Sequence, residues 1–189
     1  MELKKIKTPL SREDARKLHY GDTVLLSGVI YTARDAAHAR LTEELKKKTP
    51  LPFDIKNAVI YYTGPSPVKP GRVIGSTGPT TSSRMDVFTP VLIKAGLTGM
   101  IGKGTRSTDV IASMREFGAV YFGAIGGAGA LLASCVESSE VIAYEDLGTE
   151  AIHKLTVKEM PLTVAIDSEG GDLYVQGNAD YLLRRLYSK

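Results

Sequence analysis

Nine consecutive residues, Gly78-Pro79-Thr80-Thr81-Ser82-Ser83-Arg84-Met85-Asp86, gather four hydroxyls and a guanidinium behind a Gly-Pro turn. An apolar helical pattern, Val87, Val91, Leu92 and Ala95, follows directly. A helix N-terminus exposes unpaired backbone N–H groups and a partial positive charge, so a turn of this kind suits anions. Ser and Thr there either cap the helix or turn their hydroxyls toward a ligand. Capping consumes one hydroxyl, and here there are four. Arg84 adds a planar fork that matches a carboxylate or phosphate at two points. Two further cations sit at strand-end or turn positions: Arg34 behind the apolar run 24–32, and Lys103 within Gly102-Lys103-Gly104. Ligands of α/β folds bind beyond strand ends. Singly, each of the three reads as well as a surface charge. As a set beside glycine-rich and hydroxyl-rich turns, they suit a small dianion such as a dicarboxylate.

Other chemistries fit less well. A phosphate loop needs glycine five positions before the Gly-Lys pair and Ser or Thr directly after Lys; position 97 is Leu and position 104 is Gly. Gly126-Gly127-Ala128-Gly129 fails the dinucleotide fingerprint because position 132 is Leu. His19, His38 and His153 are scattered, without metal-ligand spacing, so no metal site is expected on this chain. His38 follows Arg34 by one helical turn and is expected to support the same site from behind. Asp35 either orients Arg34 or caps the following helix, with the cap favoured. No Ser-His-Asp or Cys-His set can be argued from order alone.

The elements that must position these groups alternate along the chain. Residues 1–10 read as extended, and Ser11 with Asp14 as a capping box opening a short helix. Strands are expected at 24–32, 58–63, 72–76, 97–101, 119–123, 141–144, 152–157 and 162–166. Helices are expected at 36–48, from the nine-residue turn to Lys94, from a Ser107 cap to Phe117, briefly from Ala130, and at 179–187. Helices and strands interleave early while strands crowd the later part, which predicts one mixed α/β domain over 1–189.

A chain of 189 residues with 43% hydrophobic content supports one domain with a sizeable core. The formal charge of +3 is mild, and no basic stripe alternates with aromatics, so no nucleic-acid partner is expected. Lys46-Lys47-Lys48 ends a helical pattern, where cations complement the dipole. The lone Cys135 excludes an internal disulfide and any iron–sulfur cluster held by this chain alone; its apolar neighbours predict a small buried hydrophobe. Residues 118–136 carry no charge over the length of a membrane span, but five glycines argue for a buried strand, a turn and a short helix instead. With three lysines and a glutamate in the first seven residues and no apolar leader, the expected location is cytoplasmic.

Three segments together resemble the iron–sulfur (class I) fumarases. They are Thr32-Ala33-Arg34-Asp35-Ala36-Ala37-His38-Ala39-Arg40, Gly78 to Asp86, and Gly102-Lys103-Gly104-Thr105-Arg106-Ser107. More narrowly, the chain looks like the β subunit of two-subunit members, equivalent to the C-terminal domain of single-chain forms. The resemblance implies a swivelling β/β/α domain and reversible addition of water to fumarate, giving L-malate. It further implies a separate α subunit that holds a 4Fe–4S cluster with one open iron, in a heterotetramer of two α and two β. By resemblance, Arg34, Thr81, Arg84 and Lys103 bind the dicarboxylate. Thr80 is the candidate base, with Lys103 as an alternative proton handler, and Asp35 and His38 stand behind them. L(+)-tartrate dehydratase β subunits share the Gly-Pro-Thr-Thr motif. They tend to carry Cys where Ala33 stands and Glu where Asp86 stands, which tilts the reading toward fumarate. A non-catalytic organic-anion-binding regulatory or assembly module is the alternative from another class. A small-molecule kinase is a further one and predicts ATP binding by the isolated chain.

Overall fold

The computed structural model describes residues 3–125 and 127–177. Its frame is one mixed sheet of seven strands: β1 (Leu3–Lys7), β2 (Thr23–Thr32), β3 (Val59–Tyr61), β4 (Gly99–Gly102), β5 (Val120–Gly123), β6 (Val136–Ala143) and β7 (Ile152–Ile166). β2, β3, β4 and β5 pair in parallel in that order. β7 then pairs antiparallel with both β5 and β2, which closes a five-stranded barrel. β1 extends the sheet beside β2 in parallel, and β6 extends it beside β7 in antiparallel.

Side-chain alternation explains why the barrel forms. Successive strand residues face opposite sides of a sheet. Val59, Tyr61, Ile101, Val120 and Phe122 join Val24, Leu26, Ile30, Leu162 and Val164 in one buried cluster, to which every barrel strand contributes. The intervening Ile60, Tyr62, Met100 and Tyr121 join a second cluster with Leu41, Leu92, Ile93, Val110 and Met114 from the helices. Both faces of β3, β4 and β5 are therefore buried, as their unbroken apolar runs require. The covering helices are α2 (Asp35–Lys47), α3 (Thr89–Ala95) and α4 (Thr108–Phe117), while α1 (Arg12–Arg16) and α5 (Gly129–Ser134) pack on the first cluster.

Local signals place most of these elements. Ser11 Oγ accepts from Asp14 N at 3.0 Å and starts α1; Ser107 Oγ accepts from Val110 N at 3.4 Å and starts α4. Gly118 in the left-handed region ends α4. The uncharged segment 118–136 resolves into β5 and α5, and among the described residues no helix is long and apolar enough to cross a membrane.

Several expectations need correcting. Residues 72–76 form no strand; Ile74 is buried within an irregular loop whose Ser66 and Ser76 bond each other instead. The nine-residue turn does not run straight into a helix from Val87. It forms a 3-10 turn at Ser82–Met85, and α3 starts only at Thr89 beside Pro90. Val87 is consequently 78% exposed, and the inward face belongs to Thr89, Leu92 and Ile93. The segments expected as two strands at 152–157 and 162–166 are one, since Pro161 sits opposite Leu25 without interrupting the pairing. The strand expected at 141–144 begins earlier, at Val136. Cys135 is half-buried against the core rather than enclosed. The helix expected at 179–187 lies outside the described residues.

Candidate active site

Because β2, β3, β4 and β5 run parallel, their carboxyl ends share one rim of the barrel. Arg34 follows β2 as the N-cap residue of α2, and Lys103 directly follows β4. Residues 78–82 are drawn onto the same rim by hydrogen bonds. Thr63 Oγ1 donates to Gly78 O at 2.9 Å, and Thr80 N donates to Tyr62 O at 2.7 Å. Lys103 N donates to Thr80 O at 3.3 Å, and Ser82 N donates to Lys103 O at 2.9 Å, so Thr81 and Lys103 pair as an isolated parallel bridge. Arg34, Thr80, Thr81, Arg84 and Lys103 thus meet at one edge although 69 positions (103 − 34) separate the first from the last.

The approach of residue 82 to β4 depends on a missing side chain. A Cβ on Gly102 would lie 2.0 Å from Ser82 Oγ and 3.0 Å from Tyr62 Cδ2. Ser82 itself is fully buried, 2.9 Å from Tyr121 Oη, whose hydroxyl also donates to Gly104 O at 3.0 Å. One tyrosine therefore ties the hydroxyl-rich turn to the Lys103 turn. None of the four hydroxyls caps a helix: neither Thr81, ahead of the 3-10 turn, nor Phe88, ahead of α3, makes a side-chain capping bond. Among the described residues the Thr80 hydroxyl has no hydrogen-bond partner.

The three cations are held differently. Arg84 is gripped by Asp35, with Nε donating to Oδ1 at 2.9 Å and Nη2 lying 2.8 Å from Oδ2. That contact uses one edge of the guanidinium and leaves the Nη1–Nη2 edge for a ligand. Arg34 passes over Gly64, where a Cβ would stand 2.7 Å from its Nη1. Its Nη2 lies 3.5 Å from Glu150 Oε1, and its buried Nε has no partner. Lys103 is exposed and makes no ion pair among the described residues. Three cations face two carboxylates, so the rim retains a positive excess that suits an anion.

Asp35 is the first residue of α2, not its cap, and its carboxylate serves Arg84 rather than Arg34. Glu150, from a 3-10 turn at Glu145–Glu150, takes both roles expected of Asp35. Its Oε2 accepts from Ala36 N at 3.0 Å, capping α2 from across the fold, while Oε1 faces Arg34. No local pattern connects residue 150 to residue 36, so sequence reasoning missed it. It also gave no role to Asp86 or Arg106, although both lie inside the quoted motifs. Arg106 is buried, and its Nε donates to Asp86 Oδ1 at 2.7 Å.

His38 is enclosed in the first turns of α2. Its Nδ1 lies 2.9 Å from Arg34 O, so this nitrogen carries the proton, and the buried Nε2 is left without a partner. Burial lowers its pKa to about 4, and the nearby Arg106 charge adds to this. At neutral pH His38 is an uncharged prop for the Arg34 backbone. Two cavities among the described residues lie elsewhere. One, of about 510 Å³, sits between loop 66–76 and α5, and another, of about 940 Å³, runs along β1 and α1. Neither is lined by any of the three cations. The chemistry of its side chains marks the candidate site.

Two outcomes are expected. Gly102→Ala should destabilise the chain by about 1–3 kcal/mol, the usual cost of an overpacked core, with Ser82→Ala in the same chain recovering part of the loss. Urea unfolding midpoints decide this, and a Gly102→Ala midpoint equal to wild type would contradict the close approach. His38 binds its proton near pH 4 when folded against a usual 6.5, so the unfolded state takes up the proton first as pH falls. Stability contributed above pH 6.5 is therefore lost on acidification toward 4. Between pH 7 and pH 5 the wild type should lose about 2 kcal/mol more than His38→Gln; equal losses would show that His38 is not the neutral buried group described.

Comparison with known proteins assigns the chain to a family. A family model described as the Fumarase C-terminus matches residues 2–177. A Methanocaldococcus jannaschii protein, provisionally named L(+)-tartrate dehydratase subunit beta, is 38% identical over 186 residues, covering 95% of this chain and 93% of that one. The aerobic class I fumarate hydratase of Escherichia coli (strain K12) is 40% identical over 153 residues, 80% of this chain but 28% of the enzyme. Fumarate hydratase 2 of Leishmania major is 35% identical over 173 residues, 89% of this chain and 30% of the enzyme. The chain thus spans under a third of those two fumarate hydratases and nearly all of the Methanocaldococcus protein. Matched over almost its whole length, and carrying Arg34, the Gly78–Asp86 turn and Lys103 on one rim, the chain belongs to the Fumarase C-terminus family.

Proposed function

We propose that this chain is the β subunit of a hydro-lyase that interconverts fumarate and L-malate, active only together with an α subunit. The observation that carries the reading is the meeting of Arg34, the Thr80–Arg84 turn and Lys103 on one open rim with a positive excess. Membership of the Fumarase C-terminus family and the relative named as a subunit beta support it. The assembly in this reading is two α and two β in the cytoplasm, with this chain acting as a swivelling β/β/α domain that closes over its partner.

The residues of this chain do not fit an iron–sulfur cluster. Among the described residues no three His, Cys, Asp or Glu side chains converge. Cys135 stands at the end of α5 with its thiol 3.5 Å from Leu131 O, and burial raises its pKa, which disfavours the thiolate a metal needs. A 4Fe–4S cluster therefore belongs to the α subunit in this proposal, and no step here is routed through it.

What this chain does is bind, orient and handle a proton. Arg34, Arg84 and Lys103, with Thr81 beside them, hold the two carboxylates of the substrate and fix which carbon faces the rim. Removing the carbon-bound proton beside a carboxylate pushes negative charge onto that carboxylate, where fixed cations stabilise it best. The Thr80 hydroxyl, free of hydrogen bonds among the described residues, passes its own proton to a partner carboxylate as Oγ1 takes the proton from carbon. The C–H electron pair becomes the double bond, and the hydroxyl on the neighbouring carbon leaves with its bonding pair, protonated to water by that carboxylic acid. In hydration Thr80 returns the proton. An unperturbed hydroxyl is a very weak base, so Thr80 needs the surrounding positive charge and a carboxylate from the partner. Lys103 is the alternative acceptor.

A second reading has one observation in its favour: the relative matched nearly end to end carries the tartrate dehydratase name. Anaerobic reconstitution with the candidate α subunit, iron and sulfide, assayed on fumarate and L(+)-tartrate side by side, separates the two. Activity is expected only in the mixture. An inactive mixture alongside an organic anion bound by the chain alone would point instead to a non-catalytic binding module, and ATP binding by the chain to a kinase. Within the active assembly, Thr80→Ala should abolish turnover while leaving assembly intact; wild-type rates would remove Thr80 from the mechanism. Arg84→Lys keeps the charge but loses the two-point edge, and should raise the Michaelis constant by about tenfold, the loss of one charge-assisted hydrogen bond. An unchanged constant would argue against two-point binding by Arg84.

A further inference from the structure

Arg106 is a full charge taken wholly out of water, its side chain 0% exposed, and its partner Asp86 is 10% exposed. Four of its donor contacts are placed. Nε donates to Asp86 Oδ1 at 2.7 Å, Nη2 to Thr89 Oγ1 at 2.9 Å and Nη1 to Tyr62 Oη at 3.3 Å, with Met100 Sδ 3.6 Å from Nη1. The guanidinium lies 5.3 Å from the ring centroid of Tyr62 and 5.0 Å from that of Tyr121, so cation–π attraction holds it from just beyond β3 and from β5 at once. Asp86 is equally committed, because its Oδ2 accepts from Ser107 N at 2.6 Å and so anchors the start of α4.

The position of this pair is informative. Asp86 immediately follows the turn that carries Thr80, Thr81 and Arg84, and Arg106 lies three residues beyond Lys103. Burying two charges costs several kcal/mol per ion, so such a pair adds little net stability over apolar side chains of the same volume. What it adds is a fixed distance, because both partners lose heavily if separated.

We propose that Arg106 and Asp86 are a positioning pair: their buried contact sets the spacing between the Thr80–Arg84 turn and the Lys103 turn, and hence the alignment of base and cations. Its catalytic consequence rests on the hydro-lyase reading; its structural consequence does not. The test compares Arg106→Met, Asp86→Asn, the double variant and Arg106→Lys. Asn in the double variant keeps an acceptor for Ser107 N while removing the unpaired charge. The double variant should recover most of the urea midpoint lost by either single variant. Its turnover with the α subunit should stay at least about tenfold below wild type, with Arg106→Lys partly restoring it. Independently of activity, the amides of Ser82 and Lys103, which bond across the two turns, should exchange with deuterium at least about tenfold faster in the double variant, while barrel-strand amides do not. Wild-type exchange at those two amides, or turnover that returns together with stability, would overturn the proposal. If the wild-type assembly neither hydrates fumarate nor dehydrates L(+)-tartrate, it is the hydro-lyase reading that falls, and the exchange result still decides the positioning role.

Discussion

One absent side chain governs the rim. Because Gly102 presents only hydrogen, Ser82 can seat against the end of β4, where any Cβ would stand 2.0 Å from its hydroxyl. With Ser82 seated, the backbone of residues 80–82 bonds to residue 103 and to the end of β3, and Thr80, Thr81 and Lys103 become neighbours. Arg84 then reaches Asp35 at the head of α2, which brings the Arg34 end of the site into register with the rest. Chemistry that would otherwise be spread over three loops is drawn together by a contact of a few ångströms. The position tolerates no larger residue because close packing leaves no slack to absorb one.

Polar groups at this edge divide into those consumed by the fold and those left over. Ser82, Asp86, Arg106, Thr89 and Tyr121 are buried or nearly so and bonded to one another or to backbone. Asp35 and Glu150 are spent on steering Arg84 and Arg34. Left over are the Thr80 hydroxyl, the Lys103 amine, the Nε of Arg34 and the far edge of Arg84. Together these groups leave the edge with a positive excess that suits an anion.

The resident electrostatics follow the same division. His38, held neutral by burial, adds no charge to the Arg34 backbone it supports. Placing an imidazolium there would set a further cation in the interior beside Arg106 and would cost more than the helix could return. The site's positive excess therefore comes from Arg34, Arg84 and Lys103 alone.

Local information sufficed wherever one residue type answers a local geometric demand. Ser11 and Ser107 announced their helices because an N-cap hydroxyl needs only the next turn. The apolar runs at 58–63, 97–101 and 119–123 announced buried strands, and the Gly78–Asp86, Arg34 and Lys103 segments announced groups that the fold brings to one rim. Helix 35–47 was legible almost to the residue. The failures came where the deciding partner was distant along the chain. Nothing near Asp35 says that Glu150 will cap its helix, nor that Arg84 will claim its carboxylate. Val87 read as a helical core residue because its spacing allowed it, but the 3-10 turn that seats Ser82 delays the helix to Thr89 and leaves Val87 in solvent. Sequence alone determined which chemical groups are present and which local conformations they favour. Barrel closure decided which of them touch, because contacts between residues separated by a hundred positions are selected by packing and buried charge, and neither leaves a local trace.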